Sequence, residues 1–193
     1  TIADFTINPI CDLTLHNIYI GSYKNPGDTL LYAERLTVDY QNIWDLFKRR
    51  FKINQIDIKD GTLNIHRLAA DSLTNLDIAL LKMLPARDTS KPEFVLNLHQ
   101  INAVDLRVYI DDEVNGTLMR MFLNRADAEL DTMDIVHNYL DIKSLDLDAP
   151  RFSVINRVVV RDTSKIIVAK SKTWWIDVDK LEMSDAMMSI ENL

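Results

Sequence analysis

One eight-residue pattern of apolar and polar residues recurs along this chain. Apolar residues occupy relative positions 0, 2, 5 and 7, with polar residues between them, in segments 51–58, 96–103, 140–147 and 176–183, and segment 13–20 matches at all but one position. A random frame of a half-apolar chain meets all eight conditions with odds of roughly 1 in 256, so fewer than one match is expected. The repetition predicts repeated strand units, which favour an extended surface over an enclosed catalytic pocket.

The spacing inside the pattern indicates strands rather than helices. Side chains alternate between faces with a period of two in a strand, and positions 0, 2, 5 and 7 form two alternating pairs separated by one phase slip. Such a slip is typical of a bulge or a strand corner. We expect it to turn one apolar pair to the other face, so that only about half of these side chains face a common surface.

Turn residues divide the strands further. Asp60-Gly61 and Ala149-Pro150 each follow a repeated segment, and Asn115-Gly116 separates residues 106–114 from residues 117–123. Asn-Gly between apolar alternations is a strong hairpin signal. The repeated segments begin 38, 45, 44 and 36 residues apart. We therefore predict a long run of antiparallel strands, with two or three strands in each unit.

Two segments have helical rather than strand periodicity. Residues 41–50 and residues 75–84 each place apolar side chains on one helical face, and Pro85 ends the second segment. Residues 85–93 predict an exposed loop. We expect both helices to cover an end or an open side of the sheet.

Composition argues against several classes of function. The 193-residue chain carries a net charge of −7, which disfavours nucleic-acid binding, and its four glycines build no phosphate-binding loop. The four histidines (16, 66, 99 and 137) lack metal-ligand spacing, and Cys11 stands alone. Most acidic residues alternate with apolar ones, as on the wet face of a sheet. We therefore predict no catalytic residue, no cofactor and no metal.

Two clusters have alternative interpretations. Lys48-Arg49-Arg50, with Lys52, could meet anionic lipid headgroups, although a solvated helix end explains these residues better. Trp174-Trp175 begins a strand, so one ring should point inward and the other outward. That pair is either part of an interface or one core residue beside one surface residue.

The order of the N-terminal elements resembles a known family. The strand LTLHNIYIGS, the element DTLLYAERLTVDY, the segment IWDLFKRR, the strand FKINQIDIKDGTLNIHR and the segment SLTNLDIALL follow one another. This succession resembles the AsmA-like superfamily of bacterial envelope proteins, in its TamB (translocation and assembly module subunit) branch as found in Bacteroidota. The later units INAVDLRVYIDDEVNG and LDIKSLDLDAPRFSVI are similar to the strand repeats of the same family.

The resemblance implies a mainly β fold, in which a curved, elongated antiparallel sheet forms an open half-pipe (a β-taco, or repeating β-groove) with one or two short helices. It also implies a periplasmic protein that is anchored in the inner membrane and takes part in phospholipid transport and outer-membrane biogenesis. Residues 1–193 would then be one β-groove segment of a longer protein. The implied partners are phospholipid or other acyl chains and, through regions outside this sequence, an outer-membrane assembly-factor barrel.

The candidate groove residues are apolar positions of the repeated segments and of the strand that follows the first of them. They are Ile53, Ile56, Ile58, Leu63, Ile65, Leu96, Leu98, Ile101, Leu140, Ile142, Leu145, Leu147, Ile176 and Val178. The same alternation also fits the closed core of a structural or adhesive β-sandwich that binds a protein partner. The sequence leaves groove and closed core as alternatives.

Overall fold

The structure is a computed structural model that describes residues 2–8, 12–22, 28–40, 53–83, 98–134, 137–158 and 174–193. The described residues form one sheet and one helix, α1 (Asn75–Met83). The strands are β1 (Ile2–Asn8), β2 (Asp12–Gly21), β3 (Thr29–Tyr40), β4 (Ile53–Arg67), β5 (Gln100–Asp112), β6 (Thr117–Asp134), β7 (Tyr139–Asp148), β8 (Arg151–Asn156), β9 (Trp175–Val178), β10 (Leu181–Ser184) and β11 (Met187–Asn192). The mainly β prediction is confirmed.

The eleven strands occupy eight positions across an open sheet. Strands β1 to β6 follow one another in order, and the long strand β6 pairs with β7 along one half and with β8 along the other. Strands β9, β10 and β11 lie end to end as the outermost position, where they pair with β7 and β8. The last two positions are therefore each one long interrupted strand.

The sheet is mixed, whereas the sequence predicted antiparallel pairing throughout. Strand β5 runs parallel to β4, and β9 to β11 run parallel to β7 and β8. A parallel neighbour needs a crossover that returns the chain to the end where the previous strand began. The segment between β4 and β5, which contains α1, is one such crossover, and the segment between β8 and β9 is the other.

The predicted phase slip is confirmed as a row of ladder irregularities, here called the bulge row. Asn54 is skipped where β3 pairs with β4, and Lys143 is skipped where β6 pairs with β7. His99 N–H donates to Asn54 O at 3.0 Å, and Asp179, between β9 and β10, donates to Ile142 O at 2.9 Å. The same point of the repeated segment is therefore irregular in four neighbouring or nearby positions of the sheet.

A second row, here called the corner row, crosses the sheet near its middle. Its members share a positive φ angle between 46° and 55°, and they are Asn17, Asp60, Asp105, Ala149 and Asp185. The pairing places them side by side, with Glu34 and Asn124 at the corresponding places on the oppositely directed strands β3 and β6. Asp and Asn adopt this left-handed conformation more readily than other non-glycine residues. Four of the five are Asp or Asn.

Both apolar pairs of each repeated segment lie on the same face, so the expectation that half of them turn away is wrong. Leu140, Ile142 and Leu145 pack in one core cluster, and Leu145 and Leu147 belong to the next. The extra residue at the bulge row shifts the alternation by one place at the same point where the apolar pattern shifts. We call the face that carries these clusters the inner face.

Two predicted turns are bends within a strand direction. Strand β4 continues through Asp60-Gly61, and β7 and β8, on either side of Ala149-Pro150, pair with the same strand. The Asn115-Gly116 hairpin between β5 and β6 is confirmed, and so is the helix predicted at residues 75–84. The helix predicted at residues 41–50 and the loop at residues 85–93 lie outside the described residues.

One hydrogen bond demonstrates that the sheet is curved. Trp174 precedes β9 beside Asn138, whereas α1 is attached through Asn75 to Asn64 and His66 near the end of β4. Through the strand registers Asn64 is aligned with Ser153, which lies 15 residues after Asn138, and this separation corresponds to about 50 Å in a flat sheet. Trp174 Nε1 nevertheless lies 3.3 Å from Asp77 Oδ1 in α1. The strand ends therefore approach each other, as in a half-pipe.

The corner row makes a prediction about stability. The free energy of unfolding of Asp105→Gly should exceed that of Asp105→Ala by about 1 kcal/mol. The reason is that the left-handed conformation costs an L-residue about 1–2 kcal/mol and costs glycine little. Asp146 is an exposed residue of β7 whose φ is not positive, so it serves as the control. Here the order should reverse, and Asp146→Ala should be more stable toward unfolding than Asp146→Gly by about 0.5–1 kcal/mol. Urea unfolding followed by circular dichroism measures both pairs. The same Ala–Gly order at both sites would contradict the corner.

Candidate functional site

The inner face is an uninterrupted apolar surface across all eight positions of the sheet. One row of directly paired residues runs through Phe5, Leu15, Leu36, Ile58, Ala103, Ala126, Leu147 and Met183. The next row runs through Leu13, Val38, Ile56, Ile101, Ala128, Leu145 and Leu181. Because the sheet is curved and open, these rows line a groove, here called the apolar groove.

The predicted groove residues differ in how accessible they are. Leu98, Ile142 and Leu147 are buried. The half-buried group comprises Ile53, Ile56, Ile58, Leu63, Ile65, Ile101, Leu140 and Leu145. Ile176 and Val178 are exposed, and Leu96 lies outside the described residues. The buried side chains fill the bends of the sheet, and the half-buried and exposed ones present the accessible surface.

Small residues occupy the inside of the corner, where the bend leaves least room. Ala33 is fully buried beside Gly61, and Ala103 and Ala126 are buried in the adjacent row. A Cβ atom at Gly61 would lie 2.8 Å from Ile58 Cγ2 and 2.9 Å from Leu106 Cδ1. Large side chains at these places would therefore hold the bend open.

The search for repeated segments missed the groove residues on the oppositely directed strands. On β6 the inner positions are Met119, Met121, Leu123, Ala126, Ala128, Leu130 and Met133, as their pairing with inner residues of β5, β7 and β8 requires. Their spacing of 2, 2, 3, 2, 2 and 3 contains the 2, 3, 2 spacing of the repeated segments, which is the same in both chain directions. Residues 128–135 match the full pattern, and residues 121–128 match it at every position but Phe122, so the same pattern identifies most of these side chains. The exposed groove residues Leu181, Met183, Met188 and Ile190, on β10 and β11, were also left out.

A polar row closes the inner face at one end, and we call it the polar rim. Directly paired residues Arg67, Asp112, Thr117, Asn156 and Asn192 form it. Arg67 Nε donates to Asp112 Oδ1 at 2.9 Å, and the second guanidinium nitrogen also bonds the same carboxylate. Asn156 Nδ2 donates to Asn192 Oδ1 at 3.0 Å. This end of the groove therefore offers hydrogen-bonding groups next to apolar rows.

Burial and pairing act in opposite directions on Asp112. Burial alone would raise its pKa, but the hydrogen bond from Arg67, hydrogen bonds from Asn115 and the charge of Arg67 outweigh that effect. The pKa of Asp112 is therefore lowered from its ordinary value. The carboxylate stays ionised beside a largely buried arginine.

The helix α1 joins the two ends of the strands at the mouth of the groove. Thr74 and Asp77 cap its first turn reciprocally, because Asp77 N–H donates to Thr74 Oγ1 at 3.0 Å and Thr74 N–H donates to Asp77 Oδ2 at 3.0 Å. The other oxygen of Asp77 accepts the bond from Trp174. Trp174 is half-buried and Trp175 is 70% exposed, so one ring lies inside and one outside, as predicted.

The opposite face of the sheet, here called the outer face, is largely polar over β2 to β7. One row contains Thr14, Thr37, Asp57, Asn102, Asp127 and Asp146. Asp57 Oδ1 accepts from Asn102 Nδ2 at 2.7 Å and from Gln55 Nε2 at 2.8 Å. Within the described ranges, no group of three or more His, Cys, Asp or Glu side chains is placed to hold a metal ion.

Comparisons with known proteins found no similarity to this chain. No family model, no curated protein and no solved structure matches it. In the part of the chain that the structure describes, no helix is long and apolar enough to cross a membrane.

The polar rim makes a prediction about pH. Because the pKa of Asp112 is lower in the folded chain than its ordinary 3.8, the stabilisation by this pair is present above that pH and is lost as pH falls toward the lowered pKa. Asp112→Asn should reduce the free energy of unfolding by about 1–3 kcal/mol at pH 7, and the deficit should shrink below pH 3.8. Urea unfolding across pH measures the deficit.

The matched control for this prediction is Asp127→Asn, which removes the carboxylate of a more exposed pair with Arg125. An exposed pair contributes about 0–1 kcal/mol, so the free energy of unfolding of this variant should differ little from that of the natural chain at pH 7 and at pH 3. A deficit of Asp112→Asn that stays constant from pH 7 to pH 3 would contradict the role assigned to its charge.

Proposed function

We propose that this chain is a lipid-carrying segment of an AsmA-like envelope protein of the TamB branch, whose apolar groove holds phospholipid acyl chains. The observation that carries the proposal is the apolar inner face, which is continuous over eight strand positions and is accessible along both sides of its buried bends. A function of this kind needs a surface and requires no nucleophile, cofactor or metal.

The dimensions of the groove suit an acyl chain. Eight positions at about 4.8 Å spacing give a groove about 34 Å long. One acyl chain spans about 15 Å, since two leaflets make a hydrocarbon core about 30 Å thick. The groove is thus long enough to hold a chain along its axis or to pass it from one set of strands to the next.

The energetics also suit transient binding. Each buried methylene contributes about 0.8 kcal/mol, so covering eight of them contributes about 6 kcal/mol before the cost of ordering. Large apolar side chains on the inner face remain exposed at both edges of the sheet, including Phe5, Leu181, Met183 and Ile190. Exposed apolar patches of this extent mark binding surfaces.

The cellular context of the proposal comes from the family resemblance alone. In that context the full protein is anchored in the inner membrane, crosses the periplasm, carries lipid between the two membranes and supports outer-membrane protein assembly. An assembly-factor barrel would be contacted by regions outside this sequence. The alternative of a structural or adhesive β-sandwich requires two sheets packed face to face, and the described residues form one.

Photo-crosslinking on adjacent residues of β10 tests the groove. Leu181 and Met183 lie on the inner face, and Glu182 and Ser184 lie on the outer face of the same exposed strand. With a photoreactive amino acid at each site in turn and phospholipid vesicles present, we expect lipid adducts at positions 181 and 183. Mass spectrometry of the adducts should find little lipid at positions 182 and 184.

Lipid extraction from the purified chain gives a second measurement. Phospholipid should copurify, and Leu181→Glu should reduce the amount while the circular dichroism spectrum is unchanged, because a charge in the groove repels acyl chains. Equal crosslinking on both faces of β10, or the absence of lipid in both experiments, would refute the proposal.

A further inference from the structure

Three arginines converge on the outer face, on the side of the sheet opposite to the apolar groove. They are Arg107 on β5, Arg120 on β6 and Arg151 on β8, and all three are exposed. Phe122 is paired directly with Arg107 on one side and with Arg151 on the other. Arg120 precedes Phe122 by two residues on the same strand, so it is the diagonal neighbour of both other arginines.

The three guanidinium groups have no anionic partner in the described part of the chain. None of them forms an ion pair or a hydrogen bond there, and the Arg107 guanidinium lies over the Phe122 ring, 5.7 Å from its centroid. Elsewhere Arg67, Arg125 and Arg157 each reach a carboxylate.

The arginines line a concavity rather than a flat surface. Its volume is about 350 Å³, and Ser153 and Ser189 contribute hydroxyl groups to its wall. None of the residues that line it is acidic. Diagonal cross-strand neighbours lie about 7–8 Å apart, which applies to Arg120 with Arg107 and to Arg120 with Arg151, and like charges this close repel one another.

We propose that this concavity, here called the arginine site, binds the phosphoryl group of a phosphate ester. Guanidinium groups match phosphate oxygens with paired, charge-assisted hydrogen bonds. The two serine hydroxyls supply further donors, and the Phe122 ring and Met187 offer an apolar wall for the organic part of the ester. The ester is either a phospholipid headgroup or a small soluble phosphate. The arginines, Phe122 and Met187 lie on the outer face, opposite to the groove, so this proposal is independent of acyl-chain binding.

Arg120→Gln and Arg125→Gln form a matched pair for the test. Both arginines are exposed on β6 and both substitutions change the net charge equally, but Arg125 pairs with Asp127 and does not line the concavity. Binding of inorganic phosphate and of glycerol 3-phosphate would be followed by NMR titration of the full chain at constant ionic strength. Arg120→Gln should weaken binding about tenfold, and Arg125→Gln less than twofold.

Vesicles separate the two sources of the phosphoryl group. Sedimentation would compare phosphatidylcholine vesicles with and without phosphatidic acid, for the natural chain and for both variants. If phosphatidic acid increases vesicle binding and Arg120→Gln abolishes that increase, the ligand is a lipid headgroup. If only the soluble phosphates bind, the ligand is a small phosphate ester. Either result supports the site.

Two results would overturn the arginine site. One is that neither soluble phosphate nor phosphatidic acid binds, and the other is that both variants weaken binding equally, which indicates a general charge effect. Thermal unfolding guards against a misfolded variant. Arg120→Gln should melt no lower than the natural chain without phosphate, because it relieves repulsion, and phosphate should raise the melting temperature of the natural chain more than that of the variant.

Discussion

The whole structure depends on keeping one face of every strand apolar while the strand bends. A regular strand alternates with a period of two, so any change of direction that adds one residue would send the following side chains to the opposite face. Here the apolar pattern changes phase wherever the backbone does. At the bulge row the step from Ile142 to Leu145 is three residues, and at the corner row the step from Ala103 to Leu106 is again three. The curved sheet and its continuous apolar face are thus one property.

The sequence was sufficient for those features that are encoded locally. The spacing of apolar residues predicted strands and located the bulge row, the Asn115-Gly116 pair predicted the hairpin, and the i, i+4 leucines before Pro85 predicted α1. Where the prediction failed, the missing information was nonlocal. Whether Asp60-Gly61 reverses a chain or bends it depends on which strand lies beside it, and periodicity within one segment carries no information about its neighbour. The same limit explains the parallel pairs, since a crossover and a long antiparallel loop have similar local sequences.

The candidate sites divide in the same way. The groove residues of the repeated segments could be identified because their alternation is a local signal, and most inner side chains of β6 could have been identified from the same spacing. The arginine site could not, because Arg107, Arg120 and Arg151 come together only through the registers of β5, β6 and β8. Their spacing of 13 and 31 residues has no meaning in the sequence itself. The polar rim is intermediate, since Arg67 and Asp112 each end an apolar alternation but their pairing needs the parallel register.

Because the bulge row and the corner row run straight across the sheet, neighbouring strands are structurally equivalent. The positions from β4 to the outermost one share this cross-section, with the bulge row, the corner row and the same order of inner side chains, and each contributes about 4.8 Å of length. The loss or gain of a whole antiparallel pair of strands would therefore change the length of the half-pipe by about 10 Å and leave its shape intact. A single-residue deletion between the rows would instead turn one side of the half-pipe inside out. In evolution the length of such a half-pipe can change by whole strands, so the number of repeats sets the distance that the molecule spans.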